Sequence, residues 1–240
     1  MKMRIGVIDS GVGGLTVLKE LINKYPQNNY FYCGDNINIP YGSKNKEQLI
    51  TLTDKMLTFL LKKKVEMIII ACGTISSNIY NELKEKYTTP IYEIISPTID
   101  YLKKRQYKKV ALLATPMTVK SKAFENTIKI ACPLFVSLIE NNDYGLKLDE
   151  AINLYLSSLN NIDALILGCT HYPIIEDKIR IKLKNVDLIN MGKILCDNLN
   201  IINGKQKEIK LYFSKVNPNL IANIDRIIKD KYELEEIHYA

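Results

Sequence analysis

Two cysteines occupy matching positions in this chain. Segments 66–72 and 163–169 each run from an acidic residue through an apolar stretch and a small residue to a cysteine, Cys72 and Cys169. A lone cysteine in such a place is most simply a small buried hydrophobic residue. At the end of a strand, however, a thiol meets the free N–H groups of the next turn or helix, which lower its pKa and favour the thiolate. Two thiols placed alike therefore suggest chemistry.

The type of chemistry follows from what two distant thiols can do together. A disulfide oxidoreductase usually carries its cysteines close in sequence. A metal site needs more ligands, and the chain has only two histidines, His171 and His238. A two-base isomerase fits better, because one thiolate removes a proton from one face of a carbon atom and the other thiol returns a proton to the opposite face.

Possible partners of the thiols lie at the ends of neighbouring apolar runs. Asp9 precedes a glycine-rich turn, residues 11–14, which lacks the spacing of a dinucleotide or P-loop motif. The N–H groups of that turn suit a carboxylate as well as a phosphate. Asp9 is either a helix N-cap or a carboxylate that orients or deprotonates Cys72. His171, two residues after Cys169, either packs at a helix start or tunes the thiol.

The remaining candidates carry weaker signals. Glu140 ends the run 134–139, which is predicted to be strand-like, and is a candidate polar residue at the edge of a cleft. The loop at residues 40–43 can present N–H groups and a phenol, although a plain turn is the simplest interpretation. The other titratable candidates are predicted to be structural or at the surface: Cys33, Cys132, Cys196 and His238.

The elements that position these residues alternate along the chain. Predicted strands, apolar on both faces, are separated by predicted helices, which favours parallel sheets covered by helices. The predicted strands are Arg4–Ile8, Tyr30–Cys33, Glu66–Ala71, Ile91–Ile94, Lys109–Leu113 and Asp163–Leu167. The predicted helices are Leu15–Ile22, Lys46–Leu61, Ser76–Lys86, Lys120–Ile130 and Pro173–Leu183.

An internal near-repeat divides this pattern into two halves. Besides the matched cysteine segments, segments 4–10 and 109–115 each run from a basic residue through an apolar strand to a hydroxyl residue. Each half then places a hydroxyl and a thiol at strand C-termini, which is where ligands bind in open α/β sheets. If the halves face each other, the two thiols flank one cleft.

Composition excludes several other classes. The 240 residues, 47% hydrophobic and 25% charged, can build a large core, so the chain is not disordered, collagen-like or a disulfide-stapled miniprotein. The net charge of +7 admits a nucleic-acid partner, but the lysines are scattered without an aromatic-interleaved stripe. Five cysteines with no C-x-x-C pair, no long apolar run and no signal peptide predict a cytoplasmic protein without a membrane partner.

Several motifs together resemble the aspartate/glutamate racemase family, in particular its glutamate racemases. In the aspartate racemases of that family the residue after Cys-Thr is typically Glu, so His171 favours the glutamate branch. The segments that carry the resemblance are Ile5–Leu15, Gly34–Asp35, Pro40–Gly42, Ala71–Thr74, Leu134–Glu140 and Gly168–Pro173.

The resemblance implies a fold and an activity. The fold would be α/β, with two pseudo-symmetric domains, each a mainly parallel sheet flanked by helices, and an active site in the cleft between them. The first domain would comprise residues 1–95 and 206–240, and the second residues 96–205. The protein would be a homodimer that interconverts L- and D-glutamate without cofactor or metal. The reaction would supply D-glutamate for peptidoglycan.

The resemblance also implies residue roles. Cys72 would exchange the α-proton with D-glutamate and Cys169 with L-glutamate, assisted by Asp9 on one side and by His171 and Glu140 on the other. Gly73 departs from the family, which usually has Asn there, so a side-chain amide contact to the substrate is lost. The positions that match substrate-binding residues are Asp9, Ser10, Pro40, Tyr41, Gly42, Gly73, Thr74, Thr115, Thr118, Thr170 and His171.

Three alternatives stay open at this point. The first is a racemase of the same family that acts on aspartate or a broader set of amino acids. The second is a non-catalytic α/β protein that clamps an anionic ligand, although such a protein has no need of matched cysteines. The third is a nucleic-acid binder, which rests on the net charge alone.

Overall fold

Strands and helices alternate along the chain as predicted. The computed structural model describes residues 3–205 and 207–238. The strands are β1 Arg4–Asp9, β2 Asn29–Gly34, β3 Met67–Ile70, β4 Ile91–Glu93, β5 Val110–Ala114, β6 Ile128–Ala131, β7 Ala164–Leu167, β8 Asp187–Asn190, β9 Glu208–Phe213 and β10 Glu233–Glu236. The α-helices are α1 Leu15–Lys24, α2 Lys46–Lys62, α3 Gly73–Lys86, α4 Ile95–Lys103, α5 Pro116–Lys120, α6 Pro133–Glu140, α7 Leu146–Leu156, α8 Glu176–Lys182, α9 Met191–Asn198 and α10 Pro218–Ile227. Short 3₁₀ helices cover Tyr41–Ser43 and Tyr172–Ile175.

The strands form two parallel sheets with the same internal order. The first sheet runs β10-β9-β2-β1-β3-β4 and the second runs β6-β5-β7-β8. Four consecutive strands of each half therefore follow one pattern, in which β1 corresponds to β5 and β3 to β7. This confirms the α/β fold with two similar halves. It also puts the strand ends before Cys72 and Cys169 in equivalent places, beside the central strand of each half.

Two sequence-based assignments are wrong. Residues 120–130 were predicted to be helical, but α5 ends at Lys120 and β6 pairs with β5 in the register Ala111↔Ile128. Tertiary pairing at the edge of the sheet overrides the local pattern there. The run before Glu140, predicted to be strand-like, is helix α6, with Pro133 in its first turn. Phe135, Val136 and Ile139 are its buried residues, the spacing of one helical face.

Two helix boundaries also differ from the predictions. α3 begins at Gly73 rather than Ser76, because Cys72 itself takes the N-cap position with extended backbone. The predicted helix Pro173–Leu183 is divided into the 3₁₀ turn Tyr172–Ile175 and α8. α3 therefore begins directly after Cys72, and the 3₁₀ turn begins three residues after Cys169.

The two halves share their apolar core. One buried cluster includes Val17 and Leu18 of α1 together with Ile194 and Leu195 of α9, and continues onto strands of both sheets. Two further clusters cover the outer faces of the two sheets. β9 and β10 extend the first sheet beside β2, whereas residue 206, at the predicted domain boundary, and residues 1, 2, 239 and 240 lie outside the described residues. In the part of the chain that the structure describes, no helix is both long and apolar enough to cross a membrane.

Candidate active site

The turns that carry the two thiols touch each other. A Cβ atom added to Gly73, the residue after Cys72, would lie 2.8 Å from the carbonyl oxygen of Gly168, the residue before Cys169. That distance is shorter than a normal carbon–oxygen contact, and the neighbour is backbone that cannot rotate away. Only glycine fits at residue 73 in this arrangement. A side chain at residue 73 would therefore require the backbone at Gly168 to shift.

Cys72 is buried beside Asp9. Its side chain is 4% exposed, and its Sγ donates a hydrogen bond to Ser10 Oγ at 3.7 Å. Burial, with a further contribution from the charge of Asp9, raises the pKa of Cys72 to about 12. The charge of Cys169 adds to this shift, so the two thiols are close enough to influence each other. Cys72 is thus held as a protonated thiol, which is the form that donates a proton.

Asp9 is a fully buried carboxylate at the end of β1. Its Oδ1 accepts the N–H of Gly11 at 3.0 Å and its Oδ2 accepts the hydroxyl of Thr170 at 3.1 Å. Burial raises the pKa of Asp9 to about 6, and the charge of His171 and these hydrogen bonds only partly offset that effect. A carboxylate with such a pKa can exchange a proton near neutral pH.

Cys169 is linked to an acid through a histidine. Its Sγ lies 3.6 Å from Nδ1 of His171, and Nε2 of the same ring lies 2.7 Å from Oε1 of Glu140. Burial alone lowers the pKa of His171, but the hydrogen bonds and charges of Cys169 and Glu140 outweigh it and raise the pKa well above the ordinary value. An imidazolium there stabilises a thiolate on Cys169.

The two thiols therefore have different electrostatic neighbours. Cys72 is kept as a thiol by burial and a neighbouring carboxylate, whereas Cys169 is paired with a histidine that favours its positive form. One side is suited to give a proton and the other to take one. This is the asymmetry that proton exchange on two faces of one carbon atom requires.

The glycine-rich turn after β1 binds a carboxylate of the chain itself. The N–H of Val12 donates to Glu140 Oε1 at 2.8 Å, so the second half supplies the anion that this turn holds. A Cβ atom at Gly13 would lie 2.4 Å from Nδ1 of His171. A side chain at Gly13 would therefore collide with the histidine of the opposite half.

A cluster of hydroxyl groups joins the halves on the other side of the cleft. Thr74 Oγ1 lies 2.9 Å from Thr115 Oγ1, and Thr115 donates to Thr118 Oγ1 at 3.2 Å. Ser77 donates to Thr118 from the first half at 3.3 Å. These buried hydroxyls supply donors that can be redirected to a carboxylate ligand.

The segment at residues 40–43 lies at the rim of this cluster. The hydroxyl of Tyr41 donates to Asp35 Oδ2 at 2.7 Å, so this hydrogen bond holds the tyrosine side chain within the first half. Pro40, Gly42 and Thr115 line a cavity of about 340 Å³. The structure thus brings most of the predicted site residues to one cleft, with Pro40 at its outer edge.

Some residues at the site had no sequence assignment. Asp35 is 1% exposed and holds both Asn38 and Tyr41. Asp35 directly follows β2, whereas Asp9 is the last residue of β1, so an acidic residue at the end of each of these neighbouring strands is the signal that could have identified Asp35. Thr16 donates to the carbonyl oxygen of Thr170 at 3.0 Å and so ties α1 to the second thiol's turn. The sequence offers no signal for this contact.

The three cysteines predicted to be structural are all buried, and none of them forms a disulfide. Cys132 differs from the other two, because it caps α6 and lines the 340 Å³ cavity, and the charge of Cys169 contributes to its raised pKa. His238 has a side chain that is 83% exposed, as predicted. Within residues 3–205 and 207–238, no group of three or more acidic, histidine or cysteine side chains is arranged to hold a metal ion.

Comparison with known proteins defines the class. The model of the Asp/Glu/Hydantoin racemase family matches residues 5–199, and the chain belongs to that family. More particularly, it is 39% identical to a glutamate racemase of Fusobacterium nucleatum, over 88% of this chain and 87% of the relative. It is 35% identical to the glutamate racemase of Aquifex pyrophilus, over 97% of each chain. The structure of glutamate racemase from Francisella tularensis in complex with D-glutamate superposes with a TM-score of 0.87 and 30% identity, over 99% of this chain and 98% of that one.

Proposed function

We propose that this protein is a glutamate racemase, which interconverts L- and D-glutamate by proton transfer between the α-carbon and two cysteines. The observation that carries the proposal is the pair of thiol-bearing turns in contact across one cleft, at Gly73 and Gly168. Family membership and the glutamate racemases among its relatives support the same reaction.

The two thiols act on opposite faces of the α-carbon. Cys169, as a thiolate beside His171, takes the α-proton of L-glutamate, and Cys72 gives its proton to the other face to form D-glutamate. In the reverse direction Asp9 accepts the proton of Cys72, the resulting thiolate takes the α-proton of D-glutamate, and Cys169 as a thiol gives its proton to the other face. His171, held by Glu140, lies beside Cys169 and assists its proton transfer.

The weak acidity of the α-proton sets the main catalytic demand. The carbanion must be stabilised in a site that excludes water, by hydrogen-bond donors to the α-carboxylate. Ser10 and the hydroxyls of Thr74, Thr115 and Thr170 are buried at the two thiol turns and can serve as those donors. The backbone N–H groups at Gly73 and Thr74 begin α3 and add to this set.

Domain organisation, oligomeric state and cellular location are part of the same proposal. The chain divides into a first domain of residues 1–95 and 206–240 and a second of residues 96–205, in keeping with which strands join each sheet. The protein acts in the cytoplasm as a homodimer, without cofactor, nucleic acid or membrane, and supplies D-glutamate for peptidoglycan.

Deuterium exchange tests the reaction. Each glutamate enantiomer is incubated with the protein in D₂O without added cofactor, and the product is followed by circular dichroism and by loss of the α-proton signal. The proposal predicts that the product gains deuterium at Cα from either enantiomer. Retention of both enantiomers unchanged would show that glutamate is not the substrate.

Replacement of the thiols tests the mechanism. Cys72→Ala and Cys169→Ala are each expected to abolish racemisation, because each face loses its acid–base group. Cys33→Ala, a buried cysteine in the core of the first half, serves as the matched control. Full racemisation by both active-site variants would refute the two-cysteine mechanism.

A further inference from the structure

The cavity beside the hydroxyl cluster is lined by two positively charged side chains. Its lining joins the loop after the 3₁₀ helix Tyr41–Ser43 in the first half to α5 and the start of α6 in the second. Lys44 comes from the first half and Lys120 from the second, and no acidic side chain is among the described residues that line it. Neither lysine has an ion-pair partner among the described residues at salt-bridge distance.

The cavity also has the size and surface for a small amphipathic acid. At about 340 Å³ it can hold a molecule the size of a free amino acid. Pro40, Met117, Pro133 and Val136 supply an apolar wall for methylene groups, and the two lysines supply positive charge.

The inner wall of the cavity belongs to the proposed active site. Gly42 and Thr115 line it, and Thr115 bonds directly to Thr74, two residues from Cys72. Gly42 packs so closely on Thr115 that an added Cβ atom would lie 2.6 Å from Thr115 Cβ. The cavity is therefore located where the halves meet at the mouth of the cleft.

We infer that this cavity is an entrance site for the dicarboxylate substrate, where Lys44 and Lys120 capture the side-chain carboxylate before the molecule reaches the thiols. The inference rests on the proposed function and adds a site and two residues to it. Both lysines add positive charge to the lining, and no acidic side chain among the described lining residues offsets it, so an anionic substrate is attracted there.

The test measures kcat/KM for glutamate as a function of ionic strength in Lys44→Gln/Lys120→Gln. The matched control is Lys104→Gln/Lys184→Gln, which changes the net charge equally at two exposed lysines outside the cavity. At low ionic strength we expect the cavity variant to lose kcat/KM by about tenfold, and its salt dependence to flatten, because steering by local charge is worth roughly 10-fold or more. The control is expected to stay within about twofold of wild type.

The outcomes separate the two proposals. A cavity variant that follows the control within about twofold, in an enzyme that racemises glutamate, would overturn the entrance site and leave the function intact. A wild-type protein that does not racemise glutamate would overturn the function itself. Unfolding midpoints of both double variants close to wild type would show that any loss of kcat/KM arises at the cavity and not from misfolding, as expected because Lys44 is half-buried and Lys120 exposed.

Discussion

Asp9→Asn is expected to make the protein more stable and less active at once. Asp9 is fully buried, and burial raises its pKa to about 6 from 3.8. This rise in the pKa of Asp9 corresponds to about 3 kcal/mol in the free energy of unfolding. The folded protein loses that stability at neutral pH because the buried carboxylate is ionised.

The sign of the pH dependence follows from the direction of that shift. Between pH 3.8 and about 6 the folded state binds more protons at Asp9 than the unfolded state does. The stability contributed by this group therefore falls as pH rises through that window, and the full cost remains above it. Asparagine carries no charge, and its side-chain oxygen can still accept the N–H of Gly11.

Urea unfolding followed by far-ultraviolet circular dichroism measures the effect, since the chain has no tryptophan. Asp9→Asn is expected to raise the free energy of unfolding by up to about 3 kcal/mol at pH 7.5 and by little at pH 4, while racemisation falls by roughly 10²-fold as the acid–base partner of Cys72 is lost. The control Asp100→Asn, with a side chain 67% exposed, is expected to change stability little. A variant destabilised at pH 7.5, or one with the same gain at both pH values, would refute the argument.

Two further predictions concern the opposite turns of the cleft. Gly73→Asn is expected to lower kcat/KM by up to about 10²-fold, because any side chain there must displace the Gly168 carbonyl and the thiol beside it. The control Gly145→Asn, where an added Cβ makes only an ordinary contact at 3.9 Å with Asp143, is expected to leave kcat/KM near wild type. Glu140→Gln is expected to lower the pKa of His171, since the charge and hydrogen bond of Glu140 help to raise it. Histidine NMR titration measures this directly with exposed His238 as the internal reference, and an unchanged His171 titration would contradict the Cys169–His171–Glu140 linkage.

Most of the fold was predictable because its signals are local. Apolar strands such as β1, β3 and β7 are buried on both faces, so they appear as continuous apolar runs. The near-repeat then indicated two equivalent halves, and the matched strand orders confirm it. The β6 and α6 region was mispredicted because it lies at the edge of the second sheet, where pairing with β5 and packing on one helical face decide between strand and helix.

The candidate site, like the fold, was predictable from the sequence only in part. Residue types and their places at strand ends were enough to single out Cys72, Cys169, Asp9 and His171, since parallel strands deliver their C-terminal residues to one edge of a sheet. The state of those residues depends on groups far away in sequence. Thr16 reaches Thr170 and Val12 holds Glu140. The pKa of Cys72 depends on burial and on the charges of Asp9 and of Cys169 in the opposite half.

Local sequence thus determined the elements, the duplication and the chemical groups at the cleft. Only the tertiary structure decided that Gly73 packs against the Gly168 carbonyl and that the glycine-rich turn binds Glu140 of the other half. The reason is physical: strand and helix propensities act over a few residues, whereas close contacts, desolvation and charge interactions act through space between segments that the sequence alone does not bring together.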